Sequence, residues 1–194
     1  MKYCLLLYIT LSFTLICRSQ ELPSLLCQRA DSAFVFCRAQ QMDTTICILV
    51  DMSLHSGKNR LFVWDFQQQK IVRSGLCSHG TGRGSTYAVP VFSNKPGSRC
   101  TSLGKYQICG RGYSRWGIHI HYKLNGLEKT NDNALRRVVV LHSMSQIPSK
   151  TIYPEYLPLG YSFGCPVVSD KVMRELDGIL KNRSFPVLLW IYAG

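Results

Sequence analysis

The sequence predicts a mainly-β domain with one helix near each end, and three features of the chain indicate this fold class. From Thr45 onward the chain consists of short runs rich in Ile, Val, Phe and Tyr, the residues that are enriched in β-strands. Residues 24–41 contain no glycine or proline and predict a helix before these strands. Residues 169–182 place apolar side chains at helical spacing and predict a second helix near the other end.

The strands follow one another with short connections. Residues 67–69 ("QQQ") fit a hairpin, whereas the glycines of 79–85 ("HGTGRGS") predict a loop, which lacks the Gly-Lys-Ser/Thr ending of a phosphate loop. After two arginines the run 136–142 is almost continuously apolar, which predicts a buried central strand that ends at His142. We predict strands over residues 45–52, 60–66, 70–78, 102–110, 117–126, 136–142 and 187–192.

The second helix has both a start signal and an amphipathic face. Ser169 is a favourable N-cap residue, and Val172, Leu176 and Ile179 would share one side of the helix. The chain contains no internal repeat and no low-complexity linker, so these elements belong to one domain.

The first 19 residues have the layout of a secretory signal peptide. Lys2 is followed by the apolar run 3–16, which is too short to span a bilayer, and then by the small-residue stretch 17–19. We therefore predict cleavage after residue 19 and export of the remaining chain. An uncleaved anchor and a lipid-modified Cys17 are the alternatives. No later segment is long and apolar enough to cross a membrane.

The chain is strongly basic. Its formal net charge is +12, and loss of residues 1–19 removes two basic and no acidic residues, leaving +10. Such a charge favours polyanions, and for an exported protein the expected polyanion is an envelope polymer. No array of alternating aromatic and basic residues suggests base stacking, so we do not expect nucleic acid as a partner. The alternative is a solvated cationic surface.

The cysteines allow disulfides. If the thiol of Cys165 stays free, the other six can form up to three bridges in an exported protein. Cys27 and Cys37 are separated by ten residues of helix, about 15 Å, and cannot pair with each other. The alternative is that several are reduced core residues. Seven cysteines follow the predicted signal: Cys27, Cys37, Cys47, Cys77, Cys100, Cys109 and Cys165.

The histidines do not indicate a metal site. His119 and His121 alternate on a predicted strand and would face the same way, but no third ligand follows nearby. We therefore expect neither a metal nor another cofactor.

Cys165 has the setting of a reactive thiol. It lies between Gly164 and Pro166, and His142 ends the strand predicted before it. An imidazole that accepts the thiol proton makes the sulfur a strong nucleophile, and the carbonyl of Ser143 could orient that imidazole. The amides of Gly164 and Cys165 could donate to a developing oxyanion. The alternative for this stretch alone is a turn whose cysteine pairs with another.

The segments "VVVLHSM" (138–144) and "YSFGCP" (161–166) resemble the His…Ser-x-Gly-Cys signature of the L,D-transpeptidase catalytic domain. They are more narrowly similar to the murein L,D-transpeptidase catalytic domain family, which carries Ser-Trp-Gly-Cys-Pro. The resemblance covers residues 45–194, after an N-terminal helical segment at 20–44. Phe163 stands where Trp is usual, and Ser143 stands where this family often has Gly.

The resemblance implies a β-sandwich with mixed strands and a cysteine at the mouth of a groove. It also implies an enzyme that acts on peptidoglycan stem peptides. Together with the predicted signal peptide, we expect an exported monomer in the periplasm or associated with the cell envelope. Cys165 would attack the third stem residue of a tetrapeptide, release D-alanine and form a thioester. An amine acceptor would give a 3→3 cross-link, and water would make the enzyme an L,D-carboxypeptidase. Carbapenems acylate the cysteine of this family.

The resemblance further assigns site residues. His142 would act as base and then acid, Ser162 would support the cysteine turn, and Arg137 would face a substrate carboxylate or else pair with Asp132 or Glu128. A non-catalytic, cationic wall-binding module is the rival from another class, and it requires Cys165 to be disulfide-bonded far from His142. The residues expected to bind substrate are Ser162, Phe163, His79, Gly80, Tyr106 and Arg137.

Overall fold

The computed structural model describes residues 21–194, so the predicted signal peptide, residues 1–19, lies outside the described residues. Within this range no helix has the length and apolar character needed to cross a membrane. The helices are α1 (Glu21–Ala39) and α2 (Asp170–Leu180). The strands are β1 (Ile46–Asp51), β2 (Leu61–Asp65), β3 (Lys70–Gly75), β4 (Gly104–Tyr113), β5 (Ile120–Gly126), β6 (Val140–Ser143), β7 (Val167–Val168) and β8 (Leu188–Tyr192).

All eight strands belong to one mixed sheet in the order β3-β2-β1-β8-β4-β5-β6-β7. The pairs β1–β8 and β6–β7 are parallel, and the other neighbours are antiparallel. Ser78, just beyond β3, forms a bridge with Val167 in β7, so the two ends of the sheet nearly meet. The predicted mainly-β class with mixed strands and two helices is confirmed. The layers of the sandwich are opposite sides of one curled sheet.

Strand β1 is buried on both faces, which explains why its sequence is apolar throughout. Ile48 and Val50 contribute to the main core cluster, which also contains the buried side of α2. Cys47 and Leu49 face the opposite way, into a second cluster that includes buried residues of α1. Because α1 covers this second face, the N-terminal helical segment is packed on the sheet.

Helix α1 begins three residues earlier and ends two residues earlier than predicted. Pro23 lies in its first turn, where a missing amide breaks no helical hydrogen bond. At the other end Gln41 has a φ of 54°, and the amide of Met42 donates to the carbonyl of Cys37 at 2.9 Å. This 6→1 bond with a left-handed residue is a Schellman end, formed here without glycine.

The run 136–142 is shorter as a strand than predicted, and it is not central. Residues 132–138 form a turn, and Val138 has a φ of 55° and is 72% exposed. Strand β6 begins only at Val140 and lies next to the two-residue edge strand β7. His142 nevertheless lies near the carboxyl end of β6, as expected.

The predicted disulfides are absent among the described residues, and all seven cysteines there are unpaired. Cys37 and Cys47 lie in the cluster beneath α1, whereas Cys77 lies in the main core on the other side of the sheet. These three buried cysteines therefore fill the core as small apolar side chains.

Replacing Leu176 by Ala should lower the free energy of unfolding by about 2–5 kcal/mol, because this fully buried side chain of α2 fills the main core. Chemical denaturation of the two proteins measures the difference. Arg174, exposed on the same helix, provides the control, and Arg174→Ala should change stability by less than about 0.5 kcal/mol. Equal effects of the two substitutions would contradict the packing of α2.

Candidate active site

Cys165 and His142 line the same cavity, which has a volume of about 410 Å³. Three parts of the chain form its walls: the tip of the β4–β5 hairpin, the segment around β6, and the turn before β7. The lining residues are Ser114, Trp116, Arg137, Val138, Val140, His142, Met144, Gly160, Tyr161, Ser162, Phe163 and Cys165.

The hydroxyl of Ser162 builds the turn that presents Cys165. It accepts a hydrogen bond from the Gly164 amide at 2.9 Å and donates one to the Cys165 carbonyl at 2.6 Å. Gly164 has a φ of 119°, and a Cβ there would lie 2.6 Å from the carbonyl oxygen of Cys100. Only glycine fits this position, both for its conformation and for the space.

The Gly164 amide is engaged by Ser162, so this geometry does not leave it available as the oxyanion donor suggested by the sequence. Pro166 has no amide. Among the described residues, the amide of Cys165 has no hydrogen-bond acceptor. The amide of the nucleophile itself therefore remains open to a substrate.

The thiol of Cys165 rests in its protonated form at neutral pH. Burial raises its pKa, and the Val140 amide, which donates to Sγ at 3.4 Å, acts in the opposite direction together with the charge of Arg137. The pKa of the thiol is raised overall, so few molecules carry a thiolate at neutral pH. A base is therefore needed to generate the nucleophile.

The imidazole of His142 has the protonation state that a base requires. Its Nδ1 lies 3.0 Å from the carbonyl oxygen of Ser143, and because a carbonyl only accepts, Nδ1 carries the proton. The lone pair is then on Nε2. Burial lowers the pKa of His142, with His121 on the neighbouring strand acting in the same direction, so the ring is neutral at pH 7.

Ser143 also fixes one wall of the cavity through its side chain. Its Oγ accepts from the Ile118 amide at 3.1 Å, at the tip of the β4–β5 hairpin. Gly117 of this tip has a φ of 58°, and a Cβ there would lie against the Ser143 hydroxyl. The hairpin tip is thus docked on the residue that orients His142.

Arg137 lies between the cavity and the segment 93–102. Its Nη1 donates to the Ser93 carbonyl at 3.0 Å and to the Ser102 hydroxyl at 3.1 Å, and its Nη2 donates to the Cys100 carbonyl. Among the described residues Arg137 has no acidic partner, so the predicted alternative of an ion pair is not observed. Within the described part of the chain, its guanidinium donates to neutral oxygens and its positive charge has no counter-ion.

Three of the predicted substrate-binding residues do not line the cavity. His79 is buried, with Nδ1 accepting from Arg60 and Nε2 donating to the Thr86 carbonyl. Gly80 packs against the backbone of the segment 99–101. Tyr106 is also buried, and burial raises its pKa to about 12.

Tyr106 still acts on the site indirectly. Its hydroxyl is hydrogen-bonded to Ser102, which in turn accepts from Arg137. Tyr106 therefore helps to position Arg137 through Ser102, although it does not line the cavity itself.

Sequence reasoning missed the hairpin tip as part of the site. Trp116 lines the cavity and is 55% exposed. The available signal was a tryptophan beside Gly117, in a segment that the prediction left between two strands. Within the described residues, no group of three or more potential metal ligands is found.

The sequence matches the family model described as L,D-transpeptidase catalytic domain over residues 20–192, a span that includes α1. No curated protein matches the chain. Among solved structures it is similar to the L,D-transpeptidase (residues 123–326) from Xylanimonas cellulosilytica DSM 15894, with 14% sequence identity and a TM-score of 0.40. The match covers 76% of this chain and 60% of that chain, so this chain spans less than two thirds of that structure.

Since the family model covers residues 20–192 of the 194-residue sequence, this chain belongs to the L,D-transpeptidase catalytic domain family.

Proposed function

We propose that the protein is an exported L,D-transpeptidase that joins peptidoglycan stem peptides through a thioester on Cys165. Membership of the family supports a peptidoglycan transpeptidase-type function. The observation that carries the proposal is that Cys165 shares a cavity with His142, whose Nε2 is unprotonated. A non-catalytic wall-binding module is less well supported, because Cys165 is unpaired and lines the same cavity as His142.

In the first half of the reaction, Sγ of Cys165 attacks the carbonyl carbon of the third stem residue, and its proton passes to Nε2 of His142. The oxyanion that forms accepts a hydrogen bond from the Cys165 amide. Collapse of the intermediate breaks the bond to the terminal D-alanine, and the leaving amine takes the proton from His142. The products are free D-alanine and an acyl-enzyme thioester.

In the second half, an amine of another stem peptide gives a proton to Nε2 of His142 and attacks the thioester carbonyl. Collapse expels the sulfur of Cys165, which takes the proton back, and leaves a 3→3 cross-link. Water in place of the amine would give an L,D-carboxypeptidase with the same residues. The donor peptide carries a carboxylate, and the cavity offers the guanidinium of Arg137 as its partner.

Cys165→Ala should abolish turnover of a disaccharide-tetrapeptide while the fold is retained, because the side chain supplies the nucleophile. Mass analysis of the products reads out the reaction: a dimer that has lost one D-alanine means transpeptidation, and a tripeptide means carboxypeptidation. Cys109→Ala is the matched control and should be fully active, since Cys109 lies on β4 outside the cavity. Activity of the purified Cys165→Ala protein would refute the assignment.

His142→Ala should slow acylation by about 10²–10⁴-fold at neutral pH. Because burial lowers the pKa of His142, the wild-type rate should decline only as the pH falls below about 6.5, where the imidazole becomes protonated. The variant should lose this acid limb, and its residual rate should rise towards alkaline pH as the thiol ionises. Stopped-flow acylation across pH measures both curves. An unchanged acid limb in His142→Ala would point to another base.

A carbapenem should add one covalent equivalent to the protein, on Cys165, because its strained carbonyl replaces the stem-peptide carbonyl. Intact-mass measurement followed by peptide mapping locates the adduct. Cys165→Ser tests the thiol and should form no stable adduct, since the hydroxyl is a far weaker nucleophile. Modification at another residue would argue against the assigned nucleophile.

A further inference from the structure

A cluster of aromatic side chains lies outside the cysteine cavity, and we call it the aromatic patch: His55, Tyr87, Tyr153 and Tyr156. The rings of His55 and Tyr156 are stacked with centroids 3.7 Å apart. Tyr87 lies 5.3 Å from Tyr156, and Tyr153 lies 5.0 Å from His55. Nothing in the proposed reaction uses these residues.

The patch is exposed to solvent although it is aromatic. Tyr87 and Tyr153 are each 57% exposed, and Tyr156 is 36% exposed. Val89 adds a further exposed apolar side chain on the Tyr87 segment. Exposed aromatic groups gathered from different parts of a chain mark a binding surface more often than single exposed residues do.

Hydrogen bonds hold the three segments of the patch together. The hydroxyl of Ser56 donates to the Tyr87 carbonyl and accepts from the Leu157 amide. The carbonyl of Gly57 accepts from the amides of Ile152 and Tyr153. The backbone segments that carry the rings are therefore held together before any ligand binds, which reduces the entropy cost of binding.

We propose that the aromatic patch binds the saccharide chain of peptidoglycan, separately from the stem-peptide site. The faces of tyrosine rings offer flat apolar surface for the C–H groups of a pyranose ring, and their hydroxyls offer hydrogen bonds at the rim. Lys58, with its Nζ 4.2 Å from the centre of the Tyr153 ring, adds donors for sugar hydroxyl or acetamido oxygens.

The charge of the patch favours a saccharide over a nucleic acid. Binding of single strands combines stacking with a cationic groove that follows the phosphates. Among the described residues, Lys58 is the cation that stacks on one of these rings, and the acidic Glu155 lies between Tyr153 and Tyr156 in the chain. A neutral polymer with ring faces and hydroxyls fits this balance better.

The patch is connected to the reaction site by the chain itself. Leu157, directly after Tyr156, is buried in a small cluster with Val167, and Tyr161 and Cys165 pack against that cluster. A saccharide chain held on the patch would keep its stem peptides close to the cavity. This inference rests on the proposed function, because it assigns the second part of the same substrate.

The experiment is a calorimetric titration of the full protein with a peptide-free oligomer of N-acetylglucosamine, which measures the affinity. We expect binding that Tyr87→Ala and Tyr153→Ala each weaken by about tenfold or more. Tyr113→Ala is the control, since Tyr113 is 73% exposed but stacks on His119 on the β4–β5 hairpin. It should leave the affinity unchanged.

A second measurement separates this inference from the proposed function. Acylation of Cys165 by a carbapenem should proceed at the wild-type rate in Tyr87→Ala and Tyr153→Ala, because the patch does not line the cavity. Normal acylation without saccharide binding, or saccharide binding unaffected by both substitutions, would overturn the patch as a saccharide site. Preferential binding of an oligonucleotide or of an unglycosylated stem peptide at the patch would also overturn it. Absence of acylation in the wild-type protein would instead refute the proposed function.

Discussion

Val167 pairs with β6 on one side and with Ser78 on the other, and the geometry of the site depends on this double pairing. In the parallel register His142 lies directly opposite Val167, two residues after Cys165. The amide of Ser78 donates to the Val167 carbonyl at 2.8 Å and joins the far end of the sheet to the same residue. The backbones of the nucleophile and the base are therefore placed by these pairings, and Ser162 and Ser143 then set the turn of Cys165 and the ring of His142.

The local chemistry of the site could be predicted from the sequence, because it is contained in short segments. The Gly164 conformation, the Ser162 hydroxyl and the Ser143 carbonyl all act within three residues of Cys165 or His142. The hairpin tip with Trp116 could not be predicted, because it reaches the cavity through the fold of β4 and β5. The same applies to His79, whose two ring nitrogens are taken by groups that only the tertiary structure brings close.

The fold class followed from the apolar runs, whereas the position of individual strands did not. An apolar run predicts burial equally well at the centre and near the edge of a sheet, and β6 is the second strand from the edge, next to β7. Val138 belongs to the apolar run yet is exposed, since the positive φ at this residue ends the preceding turn. For the cysteines, sequence spacing allowed bridges, but the sheet separates Cys77 from Cys37 and Cys47.

The raised pKa of the Cys165 thiol affects how the enzyme survives between turnovers. Peroxides and disulfides react with thiolates, and their rates follow the fraction of the cysteine that is ionised. Because burial raises its pKa, Cys165 presents little thiolate to such oxidants at neutral pH while the cavity is empty. Outside the reducing cytosol, where the proposed function places the protein, the same burial that makes a base necessary would protect the sulfur from irreversible oxidation.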